Sequence, residues 1–308
     1  MRHSQARQGP WVRPRAAAKS AQLDLRSAFR RARRRGLFDT LARIYGELPD
    51  VVCEKCARCC FESPGLFFVE FLGALDLLAG MPRGQREQAF GRVLHELFFA
   101  WIDPDRACVF LEESRCLIYQ QRPLACRLFG LVAPQHRDLA EAEARLAARQ
   151  NAARLMLLGI RVPEAVRQRS LASCDRVRIV PGQEVQQLPD GDAEPRASAP
   201  SRRAGDLRGR RPPRVDGDRY AARVAELDAV LLPREVVLHE FCFFSLPERV
   251  GAHCLSKGVV EDLRVQLLRR AQAGEDAQKL LDQVRAMADW RVCLWERPVG
   301  AARPGGES

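Results

Sequence analysis

The sequence lacks any apolar run long enough to cross a bilayer. The longest candidate, residues 65–80, is too short and carries Glu70 and Asp76. It also lacks the apolar stretch and cleavage site that would make its basic N-terminus a secretory leader, so the expectation is a cytoplasmic protein with reduced thiols. No repeat of solenoid length is present, and no glycine-rich strand-to-helix loop marks a separate methyl-donor site. Histidine is scarce, at 5 of 308 residues, which leaves few imidazoles for a mixed metal site. Lysine is scarcer still: Arg outnumbers Lys 46 to 4, a bias that runs through the whole chain.

Acidic residues are nearly missing from one place. Residues 1–35 hold eleven Lys or Arg and a single acid, Asp24, while the remaining chain is almost neutral. Nearly all of the formal charge of +11 therefore sits in an N-terminal arm. Such an arm could neutralise phosphates of a nucleic acid or an anionic lipid, although a solvated tail explains it equally simply. Its only aromatics, Trp11 and Phe29, do not make a base-stacking platform, so nucleic-acid binding through residues 1–35 is not favoured.

The apolar pattern predicts a mainly α fold. Helical spacing is read over 21–47, with a break at Gly36, and over 67–79, 85–101 and 137–158. The last is the clearest of these, with Leu139, Ala142, Leu146, Ala153 and Leu157 set to form one buried face. Further helices are expected over 220–232, 258–271 and 276–290, and a strand over 235–244. The resulting organisation is a disordered basic arm (1–20) and a helical cysteine-cluster domain (21–182). A disordered linker dense in Pro, Gly, Asp and Arg follows (183–218), then a helical C-terminal segment (219–297) and a disordered tail (298–308). The C-terminal helices are expected to pack back on the core, since alone they would expose too much apolar surface.

What is plentiful is cysteine, eleven in all, and four fall within eight residues: Cys53-Glu54-Lys55-Cys56-Ala57-Arg58-Cys59-Cys60. A C-x2-C turn brings two sulfurs to one side of the backbone, where they can share a tetrahedral metal. Repeating it adds a third sulfur, the spacing of bacterial ferredoxins. Side chains of adjacent residues diverge, so either Cys59 or Cys60 is spare or the two serve different metal atoms. Lys55 and Arg58 favour thiolate over thiol. A second group, CVFLEESRCLIYQQRPLACR, supplies Cys108, Cys116 and Cys126, separated by seven and nine residues. Those gaps suit ligands brought from loop ends onto the first cluster, with Pro123 holding its own segment extended. Cys242, Cys254 and Cys293 lie among apolar residues and read as core rather than as partners of His239 or His253. His136 reads as a surface residue, and Glu62, Glu112 and Glu113, the nearest carboxylates, as solvated.

On these residues the chain resembles the zinc- or iron-chelating CxxCxxCC family, also called YkgJ-type cysteine cluster proteins. That family pairs a C-x2-C-x2-C-C run with a downstream C-x-F-L…C-x-I-Y-x-x-R-P-x-x-C-R segment. Here Phe110, Leu111, Ile118, Tyr119, Arg122, Pro123 and Arg127 stand in their places around the cysteines. The resemblance covers about residues 50–135 and implies metal chelation without naming a reaction. The chain departs from it at Ala57, Val109 and Gly130, where family members commonly show Gly, Pro and Pro. A relative, the flagellin lysine methylase, carries a similar cluster, which keeps an iron–sulfur-dependent modifying enzyme as an alternative by analogy. Four thiolates satisfy either zinc or iron–sulfur; seven candidate sulfurs lean toward an iron–sulfur cluster.

Overall fold

The computed structural model describes residues 25–49, 51–52, 57, 60, 63–132, 134–168, 178–179, 215–232, 245–255 and 257–287. The expected disordered arm at 1–20, strand at 235–244 and tail at 298–308 lie outside them. So do Cys53, Cys56, Cys59, Cys242 and Cys293, and most of the linker.

Leu25, Ala28 and Ala32 recur every three or four residues and are buried, which is what makes the basic stretch around them the helix α1 (Leu25–Arg34). Gly36 then takes a left-handed conformation, φ 62°, which ends α1 and starts α2 (Leu37–Gly46). The expected break at Gly36 is therefore a turn between two helices. Val51 and Val52 pair antiparallel with Arg178 and Ile179 as β1 and β4. The helix α3 (Phe68–Ala79) is apolar on nearly every side and correspondingly enclosed, while α4 (Arg83–Phe99) buries Phe90, Val93, Leu94, Leu97 and Phe98.

These two helices organise the fold. Around α3 pack α1, α2 and α8 (Gly217–Leu231), and α5 (Leu124–Leu128) packs on α8. Around α4 pack α9 (Leu246–Cys254), α10 (Lys257–Gln272) and α11 (Ala277–Met287); α3 touches α4 between the groups. The C-terminal helices thus close both halves of the core. Val215 is buried and donates its N–H to Leu131 O, and Asp216 caps α8, so the folded C-terminal segment begins inside the last residues assigned to the linker. Between α4 and α5 lies a loop holding a two-stranded hairpin, β2 (Leu111–Glu112) and β3 (Arg115–Cys116), and a short 3-10 turn, Tyr119–Gln121.

The helix α6 (Pro134–Leu157) and the short α7 (Glu164–Arg167) complete the architecture. Here the face expected to be buried is the one left open. Ala142 and Ala153 are exposed, and Leu146 and Leu157 are 57% and 88% exposed. The buried side is an adjoining one, carrying Ala152 and Leu155. Polar contacts with α10 fix this orientation: Arg269 donates twice to Leu158 O, at the C-terminal end of α6, and Arg154 lies 3.7 Å from Glu261. Periodicity identified an apolar face correctly; it could not say what covers it.

Candidate metal centre

The two cysteine groups meet through backbone. Cys60 closes a turn by donating its N–H to Ala57 O (2.9 Å), and its own carbonyl accepts the N–H of Cys108 (2.8 Å). Residues 48 apart in the chain are thereby joined at one hydrogen bond. Ala57 sits at φ 56°, in the left-handed region that glycine occupies without a Cβ penalty. The turn is made here by an alanine under strain.

Cys108 is 6% exposed, against the α4 side of the core. Burial pushes its thiol up to about 12, and the Glu96 carboxylate and Cys116 push it further the same way. The Phe110 N–H and the Ser63 hydroxyl pull against this by hydrogen bonding to sulfur. Ser63 has a single hydroxyl proton, and its 2.6 Å contact with Glu96 Oε2 is far stronger than the 3.9 Å contact with Cys108 Sγ. The same hydroxyl oxygen accepts Val109 N–H (3.2 Å). A proline at Val109 would have no N–H and could not make that bond.

Two side chains of α4 hold the loop. Glu96 accepts both the N–H and the hydroxyl of Ser63, and Arg92 Nε donates to Val109 O (2.9 Å) while its other end lies 3.8 Å from Glu112. Glu112 is therefore a structural partner of Arg92. Glu113 and Ser114, φ 45° and 64°, form the two-residue turn of the hairpin, the positive-φ pair of a type I′ turn. That turn brings Cys116 back opposite Leu111.

Cys126 is placed from the other helix group. Pro123 begins α5 with ψ 160°, as its expected extended conformation requires, and Arg127 then ties the preceding loop together. Its guanidinium donates to Arg122 O (2.8 Å) and Gln120 O (2.6 Å) and stacks on the Tyr45 ring at 4.4 Å, while Arg122 stacks on Tyr119 at 4.0 Å. The Tyr, Arg, Pro and Arg of the motif thus build the frame around Cys126. Gly130, φ 85°, ends this segment in a conformation closed to proline, whose φ is fixed near −65°.

The first turn of α5 is anchored by a residue the sequence did not single out as functional. Glu70, 7% exposed within the apolar α3, accepts Leu124 N–H (2.6 Å), Phe67 N–H (2.8 Å) and the Tyr45 hydroxyl. Burial raises its carboxyl to about 7 against these hydrogen bonds, and raises the Tyr45 phenol well above its usual value. Next to it, Asp228 of α8 accepts the N–H groups of Phe68 and Val69 (2.6 and 2.7 Å), capping α3 from 160 residues away. Burial raises Asp228 to about 6, and the charge of fully buried Arg249 acts to lower it. Arg249 donates to Leu66 O and lies over Phe71. An acid set between Val69 and Phe71 was the signal that could have flagged Glu70.

Of the seven sequence-predicted sulfurs, the structure brings Cys60, Cys108 and Cys116 into one neighbourhood and sets Cys126 on the adjoining α5. Cys60, Cys108, Cys116, Cys126 and Cys254 are thiols. Among the described residues no three His, Cys, Asp or Glu side chains gather as a ready-made metal site. The donor set nevertheless fits a soft thiophilic metal: Cys108 is a buried sulfur with an amide N–H aimed at it, an arrangement that favours thiolate once a cation offsets burial. Cys254 is half-buried and packs against the core, as expected of a structural cysteine.

No helix among the described residues is long and apolar enough to cross a membrane. No curated protein and no solved structure matches the chain. The segment 52–148, in which all seven of these cysteines lie, matches the family model described as "CxxCxxCC: Putative zinc- or iron-chelating domain".

Proposed function

We propose that this chain is a metal-binding protein whose centre, an iron–sulfur cluster or zinc, is held by thiolates from both cysteine groups. The ligands are drawn from Cys53, Cys56, Cys59 or Cys60, and from Cys108, Cys116 and Cys126. One observation carries the reading: the Cys60–Cys108 backbone hydrogen bond, which puts the end of the first group against the start of the second. The family match over 52–148 supports it. Seven candidate sulfurs, more than a four-coordinate zinc uses, favour the iron–sulfur form. Bound there, the group would contribute folding energy and, as a cluster, one-electron transfer. The residues around it have separate tasks. Arg92 and Glu96 hold the Cys108 loop on α4, Glu70 and Arg127 hold α5 and Cys126, and the Phe110 N–H favours thiolate at Cys108.

The test is anaerobic purification of the full chain followed by metal analysis and a visible spectrum. Brown protein with bound iron and inorganic sulfide is expected. Colourless protein with stoichiometric zinc would replace the cluster with zinc, and protein free of both metals would end the proposal.

A further inference from the structure

The exposed face of α6 is the largest mismatch between what the sequence wants buried and what the fold buries. Leu146, Met156 and Leu157, at 57%, 51% and 88% exposure, are the exposed large apolar side chains of the described residues, and all three belong to this helix. At 100° per residue they fall within about 120° of arc together with Arg145, Arg149 and Ala153, and the buried Ala152 and Leu155 lie to one side of that arc. Where α6 faces α7 the surface opens into a groove of about 600 Å³, with Arg145, Arg149, Ala153, Met156, Arg167 and Gln168 in its wall. Among the described residues, three guanidiniums and no carboxylate line it; the acid on α7, Glu164, accepts the Gln168 amide instead.

We propose that the α6–α7 surface docks an acidic amphipathic helix of a partner protein. The apolar strip supplies area for burial and the arginines supply the sign of the partner's flanks. Leu146 to Leu157 spans twelve residues, so the partner helix need be only about 17 Å long to cover the strip. A second copy of this chain would bring a groove of the same positive sign to the interface, whereas an acidic helix brings the opposite one. This surface is separate from the cysteine site and does not depend on the metal.

The experiment uses the full chain and two labelled synthetic helices with the same leucine strip, one flanked by Glu and the other by Lys, read by fluorescence anisotropy. The Glu helix is expected to bind and to weaken steeply with salt, and the Lys helix is not. Arg149→Glu with Arg167→Glu should weaken binding at least tenfold, and Leu157→Ser should weaken it with the salt dependence unchanged. Because these side chains are exposed, all variants should keep the wild-type circular dichroism. Equal binding of the two helices, no binding of the Glu helix, or preferential binding of a DNA duplex would overturn the proposal. A dimer seen by light scattering and dissolved by Leu157→Ser would assign the surface to a second copy and overturn it too.

Discussion

Ala57 occupies a backbone conformation that costs an L-residue about 1–2 kcal/mol, partly offset by the extra unfolded-state entropy a glycine would bring. Ala57→Gly should therefore raise stability by about 0.5–1 kcal/mol without loss of metal, measured as a shift in urea midpoint. Asp228 has the opposite character. Its carboxylate satisfies two buried N–H groups of α3 and faces a buried arginine. Asp228→Ala leaves all of them without it and should cost about 3 kcal/mol, seen in the same denaturation experiment. Glu70 yields a pH dependence with a definite sign. Its folded carboxyl titrates near 7, above its ordinary value of 4.5, so the folded state holds a proton that the unfolded state has already released. The contribution of Glu70 is fully present below about pH 4.5 and is lost as the pH rises through 7. In Glu70→Gln that slope is gone. The stability advantage of wild type over the variant should shrink between pH 5 and pH 7.5, and an advantage that grows with pH would contradict the assignment.

Elements were legible where their signals are local. The helices at 25–34, 37–46, 68–79 and 83–99 follow from apolar spacing and from punctuation at Gly36, Gly80 and Pro82, because a helix face repeats within four residues. The cysteine motif was legible for the same reason. The helix α9 went unread although Ser245, Pro247 and Glu248 spell its start, with Glu248 accepting the Ser245 N–H and hydroxyl. The orientation of α6 and the roles of Glu70, Asp228 and Arg249 were not legible, since each depends on a partner 54 or more residues away that periodicity does not encode. The β2–β3 hairpin gives its own prediction. Glu113 and Ser114 are exposed and sit at positive φ, where Asn and Gly are preferred. Glu113→Asn with Ser114→Gly should stabilise the protein by about 1 kcal/mol in thermal or urea melts. A destabilised double variant would mean that those side chains hold the loop in some other way.

At the scale of the whole molecule, the cysteine loop hangs between two helix groups. One end is fastened to α4 by Arg92 and Glu96, and the other to α3 by Glu70 through the start of α5. A metal bridging thiolates from 53–60 and 108–126 would add a third fastening, coupling metal binding to the packing of α3 against α4. The described part of the basic segment, α1, joins the core through Leu25, Ala28 and Ala32. The most direct test is the metal-to-protein ratio of three full-length single variants purified anaerobically beside wild type. Cys56→Ser and Cys108→Ser, one from each group, should both lose the metal, while Cys254→Ser should keep it. Full metal content in either of the first two would show that the two groups do not share one centre.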